Sequence, residues 1–202
     1  MRELRIVGNV TNLPTNVFGH RSLVWWGTIG FLVIEGSTLF ICAVSYFYLK
    51  KNFSTWPPEY ILRPALTAAT VQAALMLLSN IPMVMIDRAA RRLDLRTVRA
   101  GMVIISLLAA VMCVLRVLEM HALQVRWDSS AYGSVAWAVV FTHATLLFME
   151  TVEVLVFTVL VHSPNMEQRD LSGISDNALY WYFMTGVWIP LAAIVFLTPY
   201  IT

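Results

Sequence analysis

The sequence predicts an all-α, polytopic membrane protein built as a bundle of five transmembrane helices. Five apolar stretches are each long enough to cross ~30 Å of hydrocarbon, a distance that takes about 20 helical residues. Charged residues make up only 13% of the 202 residues and hydrophobic residues 58%, whereas soluble domains carry about 25% charged residues. The charged loops between the stretches are too short to hold a soluble domain.

The predicted spans are residues 23–49, 65–86, 98–122, 134–161 and 179–201. Residues 1–22 lack the apolar core of a signal peptide, so we expect a cytoplasmic N-terminal segment there and a five-helix domain over residues 23–202. Tryptophan and tyrosine residues near the span ends are typical of membrane interfaces. Pro82 and Pro190 fall inside spans two and five, where we expect kinks or local 3₁₀ turns.

Arginine and lysine residues are distributed unequally between the two sides of the predicted bundle. One side carries nine, namely Arg2, Arg5, Arg21, Arg88, Arg91, Arg92, Arg96, Arg99 and Arg169. The other carries four, namely Lys50, Lys51, Arg63 and Arg126. The positive-inside rule therefore predicts an internal N-terminus and an external C-terminus. We interpret the run 87–99 as a topology signal; a docking surface or an anionic-lipid site are alternatives.

Each ionisable residue inside a bilayer costs several kcal/mol of free energy, so we expect it to have a structural or functional role. The spans contain Glu35, Arg116, Glu119, Glu150 and Glu153, together with the polar residues His143 and Gln72. Counting the helical rise from the inner ends places Glu35 at about 18 Å, Glu150 at about 16 Å and Gln72 at about 21 Å, in one middle layer. Arg116 and His143, both at about 27 Å, form a second layer towards the outside, with Glu119 just beyond.

Two interpretations stay open for each pair of buried charges. Arg116 and Glu119 are spaced i, i+3 and can pair, either as a structural ion pair or as part of a functional site. Two ionised carboxylates in one dry layer would repel, so we expect Glu35 and Glu150 to lie close together with at least one protonated. They are then either neutral acids that make interhelical hydrogen bonds or a proton-linked or lipid-linked site.

The histidines and cysteines do not favour a redox centre in this chain. Of four histidines, only His143 is predicted to lie deep, and Cys42 and Cys113 are isolated within separate spans. Motifs for acyl transfer, phosphate binding and zinc proteases are absent. We expect no cofactor, no metal and no catalytic residue in the chain, and no nucleic acid partner.

Several short motifs occur in the order found in one known family. They are GFLVIEGSTLF around Glu35, TWPPE with Trp56 and Pro57, LRVLEM with Glu119, the triplet Tyr132, Gly133 and Ser134, His143 in span four, and YWYFMTGVW with Trp181 and Trp188. By these motifs the chain resembles subunit III of the haem–copper oxidases (cytochrome c oxidase subunit 3) from about residue 23 to its end.

The chain also departs from the pattern of that family. The second histidine of the family's helix six is Leu146 here, the glycine that follows is Glu150, and the histidine and aspartate of helix seven are Tyr182 and Thr185. Glu150 lies one helical turn from Leu146, so we expect it to replace the lost polar partner of Glu35. The family's first two helices have no counterpart, as in a five-helix bacterial variant.

The resemblance implies a non-catalytic subunit of a proton-translocating terminal oxidase in the bacterial inner membrane. It implies oxidase subunit I as the main partner, subunit II and a small subunit IV as further partners, haem and copper held by those partners, and bound phospholipid. Its implied role is to support the stability and proton uptake of subunit I. Two alternatives are a subunit III-like accessory protein of nitric oxide reductase and a stand-alone membrane transporter or anchor.

Overall fold

The computed structural model describes residues 18–164, 166 and 168–201, and in these ranges the chain is all-α. Five helices are long and apolar enough to cross a membrane. They are α1 (Leu23–Lys51), α2 (Leu66–Arg91), α3 (Leu95–Ala122), α4 (Ala131–His162) and α5 (Gln168–Ala192), and α5 continues through a π-helical segment (Ala193–Leu197) into α6 (Thr198–Ile201). The predicted class, a bundle of five transmembrane helices in an integral membrane protein, is confirmed. Most of the predicted N-terminal segment, residues 1–17, lies outside the described ranges.

The bundle runs up and down, and hydrogen bonds between residues far apart in the sequence connect its elements at both ends. At one end the guanidinium of Arg99 donates to the carbonyl of Val161 over 2.6 Å, joining the start of α3 to the end of α4. At the other end the hydroxyl of Tyr200 donates to the carbonyl of Pro64 over 2.7 Å. We call these the arginine end, after the loop 87–99, and the opposite end.

Local sequence explains where the helices begin. Ser22, Asp94 and Ser130 accept backbone N–H bonds at the N-termini of α1, α3 and α4, which satisfies donors that the first helical turn leaves free. At Asp94, the hydroxyl and the backbone N–H of Thr97 both donate to the carboxylate and lower its pKa. The chain therefore reverses between α2 and α3 within three residues, 92–94.

Helices α2 to α5 form the packed body of the bundle, whereas α1 lies at its side. The most apolar window of α1 is 6% buried, against 28–44% for the windows of the other four helices. α1 packs on α4 and α5, and its polar residues Ser37 and Thr38 donate to carbonyls of their own helix. The exposed face of α1 is therefore suited to lipid or to another membrane helix.

The fifth helix begins eleven residues earlier than the predicted span, at Gln168 rather than at 179. Its first turns are polar, and so they lack the apolar signal of a span. Inside the bundle these groups find partners, since the hydroxyl of Ser175 donates to Asp87 over 2.5 Å and the amide of Asn177 to Glu150 over 2.9 Å. A polar segment can thus enter the membrane region because neighbouring helices satisfy it.

The two prolines inside helices have different surroundings. α2 continues as a helix across Pro82. Three residues after Pro190 the chain changes to the π-helical segment, so the local adjustment expected there is of the π type rather than 3₁₀. Proline lacks a backbone donor, and a neighbouring π turn is one way to re-satisfy the freed carbonyls.

Candidate functional site

The motif residues that lie towards the opposite end come together in an aromatic cluster. Trp56, from the loop after α1, is 5% exposed and lies 5.3 Å from the ring of Tyr132 and 5.4 Å from the ring of Tyr46, both edge to face. The Trp56–Pro57 peptide is cis, and Pro57 is half-buried. Residues 76 positions apart in the sequence thus form one packed unit, in the geometry that aromatic pairs prefer.

The glycine and the serine of the triplet 132–134 have separate structural roles. A Cβ atom on Gly133 would overlap the backbone carbonyl oxygen of Arg126, so only glycine fits beside that loop. The hydroxyl of Ser134 donates to the carbonyl of Trp127 over 2.7 Å. The triplet therefore fixes the loop between α3 and α4 onto the first turn of α4.

Deeper in the bundle, four predicted residues form a buried polar cluster. Arg116 is 3% exposed and Glu119 fully buried, and Nη1 of Arg116 lies 2.6 Å from Oε2 of Glu119, so the pairing expected from their spacing is present. Nη2 of Arg116 lies 3.0 Å from Nδ1 of His143. The guanidinium carbon of Arg116 lies 3.8 Å from the ring centroid of Trp188, which is a cation–π contact.

These contacts fix the chemistry of His143. Arginine is always a donor in proteins, so Nδ1 of His143 must accept. Nε2 then carries the proton and donates to the carbonyl of Met184 over 3.0 Å. His143 is thus a neutral side chain held between Arg116 on α3 and the backbone of α5, and both of its nitrogens are occupied.

Gln72 lies one helical turn from Met76 on α2, and the sulfur of Met76 contacts Arg116 of this cluster at 4.0 Å. The helix α2 extends to Arg91 rather than to the predicted residue 86, which adds about 7.5 Å of helix at the arginine end. The amide of Gln72 is fully buried, and no partner for it lies within the described ranges.

Towards the arginine end, a cavity of about 460 Å³ lies between α1, α4 and α5. Its polar lining consists of Thr28, Glu35, Glu150, Glu153, Asp176, Asn177 and Tyr180. Val24, one residue after the start of α1, also lines the cavity. Since Glu35 is eleven residues further along α1, the cavity extends about 16 Å from that helix start to Glu35.

Glu35 and Glu150 line this one cavity, but each is hydrogen-bonded to a different residue of α5. The hydroxyl of Tyr180 donates to Oε2 of Glu35 over 2.6 Å, and the amide of Asn177 donates to Oε1 of Glu150 over 2.9 Å. Tyr180 and Asn177 are three residues apart and so lie on one face of α5. The described hydrogen-bond partner of Glu35 is therefore Tyr180, and α5 holds the two acids in place.

Sequence reasoning missed four of the seven polar residues that line the cavity, namely Thr28, Asp176, Asn177 and Tyr180. Tyr180 was interpreted as an interfacial aromatic residue, and Asp176 and Asn177 were placed outside the fifth span. The available signal was the spacing of Asp176, Asn177 and Tyr180, which places these three side chains on one face of a helix. Trp181 lies on a different face of α5, where its indole N–H donates to the hydroxyl of Ser79 on α2 over 3.0 Å.

Within the described ranges, no three side chains among histidine, cysteine, aspartate and glutamate are arranged so that they could hold a metal ion. The acids of the cavity line its walls without converging on one point. A cavity of this size with carboxyl, amide and hydroxyl groups on its walls can admit water. The arrangement can therefore bind water and exchange protons between acids and solvent.

Comparisons with known proteins supply no family for this chain. No protein-family model matches it, and no curated protein matches it.

Proposed function

We propose that this chain is a non-catalytic subunit III of a haem–copper terminal oxidase. In this role it would support the stability and proton uptake of subunit I and bind phospholipid. The main support comes from the acid-lined cavity that reaches Glu35, the acidic residue of the first motif. A carboxyl group deep in a membrane helix, beside a cavity that also reaches the first turn of that helix, suits a group that takes up and releases protons.

The packing of the motif residues supports the same proposal. Trp56 and Tyr132 come from separate motifs and share the aromatic cluster. Glu119, His143 and Trp188 come from three further motifs and share the contacts of Arg116. The motifs that carry the resemblance are therefore spatial neighbours, as expected if they maintain one fold.

The proposal specifies the membrane in which the chain lies and the orientation of the chain in that membrane. The arginine end would face the cytoplasm of a bacterium and the C-terminus would face the periplasm, because the excess of arginine in the loop 87–99 follows the positive-inside rule. The exposed face of α1 offers surface to the partner chains, of which subunit I would be the main one. Subunit II and a small subunit IV complete the proposed complex, whose redox cofactors those partners would hold.

Purification of the tagged chain in a mild detergent tests the assignment. Co-purification with a haem- and copper-containing oxidase, seen in the reduced-minus-oxidised spectrum and in the subunit bands, would support the proposal. Recovery with a nitric oxide reductase that contains haems b and c would instead indicate the accessory-protein alternative. Recovery of the chain alone would favour a transporter or an anchor.

Replacement of Glu35 by glutamine tests the proposed role in proton uptake. The change keeps the size and hydrogen bonding of the side chain and removes its titratable proton. We expect normal haem content, with slower turnover or a shorter active lifetime at raised pH. The matched control is Glu59→Gln, since Glu59 is exposed in the loop after α1. Oxygen-consumption traces run to exhaustion between about pH 6 and pH 9 would reject the proton-linked role if Glu35→Gln and the control behaved identically.

A further inference from the structure

A second recess in the structure is separate from the cluster around Arg116 and from the cavity of Glu35. It is a groove of about 310 Å³ between α2 and α3, on the lipid-facing side near the arginine end. Its walls are apolar and include Pro82 and Met85 of α2 and Ala100 and Ile104 of α3, and Arg96 lies at its rim. From Arg96 to Ile104 the helical rise gives a groove about 12 Å long, parallel to the helix axes.

Small residues of α3 form this groove. A Cβ atom on Gly101 would overlap the side chain of Ile86, so glycine allows α2 and α3 to approach each other there. Beside this contact Ala100 is too small to fill the space between the helices. The result is a narrow apolar trough whose long axis runs into the membrane.

The rim of the groove is positively charged. The loop 87–99 contains five arginines and two aspartates. Both aspartates are already engaged, since Asp87 accepts from Arg91 and Ser175, and Asp94 accepts from Thr97. In the described ranges, no hydrogen bond or ion pair is made by the guanidinium groups of Arg92 and Arg96, and both residues are exposed. An excess of positive charge thus lies where the headgroups of a bilayer would be.

We propose that this groove binds one anionic phospholipid, with its phosphate at Arg96 and one acyl chain in the trough towards Ile104. Charge complementarity at the rim and the apolar walls below it select this occupant. A helix about 10 Å in diameter is too wide to enter a trough of this volume. The groove is lined by α2 and α3, whereas the cavity of Glu35 is lined by α1, α4 and α5, and the inference does not depend on the oxidase assignment.

Native mass spectrometry of the purified chain from micelles with equal phosphatidylglycerol and phosphatidylcholine, matched in acyl chains, tests the site. The wild type should retain phosphatidylglycerol preferentially. Arg96→Gln should lower the ratio of the two retained lipids about fivefold, the effect of one basic residue at a membrane surface. Ala100→Leu, which fills the trough at an exposed position, should lower the retention of both lipids.

Arg92→Gln is the matched control, because Arg92 is exposed in the same loop but does not line the groove. It should leave the lipid ratio within about twofold of the wild type. An equal loss in Arg92→Gln and Arg96→Gln would show that the loop attracts anions diffusely, which overturns the site. Unchanged retention in Ala100→Leu would also overturn it. So would equally effective competition by glycerol phosphate, which would indicate a site for soluble phosphate. Equal melting temperatures of the three variants serve as the control for folding.

Discussion

The ion pair between Arg116 and Glu119 should be among the most sensitive points of the fold. Within the described ranges, Glu119→Leu would leave the guanidinium of Arg116 as a buried charge whose contacts are His143, Trp188 and the sulfur of Met76. Both charged side chains are at most 3% exposed. Removing one partner of such a buried pair typically costs about 3–5 kcal/mol of the free energy of unfolding. The reverse change, Arg116→Met, should cost a similar amount because it leaves Glu119 unpaired.

Removing both charges should cost much less than the sum of the two single changes. The variant with both Glu119→Leu and Arg116→Met has no buried charge to compensate. It still loses the contact of Arg116 with Trp188, worth about 2 kcal/mol when desolvated, and the hydrogen bond to His143. We therefore expect a coupling of at least about 3 kcal/mol between the two sites, at the upper end of what neighbouring residues show.

Reversible unfolding in mixed detergent micelles, followed by tryptophan fluorescence and far-ultraviolet circular dichroism, measures these free energies. The pair Arg126–Asp128 is the control, because it is a comparable ion pair of 2.8 Å in an exposed loop. Its disruption by Asp128→Asn should leave the unfolding curve unchanged. Two results would refute the claim that Arg116 and Glu119 form a buried, coupled pair. One is a double variant whose loss of unfolding free energy equals the sum of the two single losses. The other is single variants whose loss of unfolding free energy is no larger than that of Asp128→Asn.

Two further predictions follow from particular contacts, and a third follows from the proposed orientation. Gly133→Ala should lower the melting temperature because its Cβ would displace the carbonyl of Arg126, whereas Gly27→Ala, with nothing within 4 Å of its added Cβ, should not; equal shifts would contradict this. Tyr180→Phe should reduce the free energy of unfolding by about 1–3 kcal/mol through its lost bond to Glu35. Tyr182→Phe removes a hydroxyl that makes no hydrogen bond within the described ranges, and so it should have little effect in the same titration. The orientation can be tested with a single cysteine at position 92, in a chain with Cys42 and Cys113 replaced. This cysteine should be accessible to a labelling reagent from the cytoplasm and not from outside intact cells. Labelling from outside would reverse the proposed orientation.

The sequence predicted the helices well where apolar length alone determines them. The first span begins at Leu23 in both the prediction and the structure, and the other span ends of α1, α3 and α4 differ by at most three residues. The C-terminal end of α2 and the start of α5 differ from the predicted positions because both segments carry polar residues that reduce hydropathy. Those residues have partners on neighbouring helices, and hydropathy along one segment contains no information about partners on another.

The same distinction applies to the candidate sites. The contact of Arg116 with Glu119 follows from spacing within one helix, so it could be predicted. The stacking of Trp188 on Arg116 and the bond from Tyr180 to Glu35 depend on how α5 is rotated about its axis. That rotation is set by packing against α2, α1 and α4 together, and the hydropathy of α5 gives no measure of it.

The cluster around Arg116 and the cavity around Glu35 differ in how their charged groups are partnered, and this difference indicates which one supports the fold and which one suits a function. In the cluster around Arg116, both nitrogens of His143 are occupied and the charges are paired within the bundle. Around Glu35, several acids instead share a cavity that extends to the arginine end, and Glu35 itself is only half-buried. A closed ion pair stabilises one arrangement, whereas acids that can reach water can change protonation without unfolding the chain. Variants of Arg116 and Glu119 should therefore act on stability, and Glu35→Gln should act on turnover in the proposed complex.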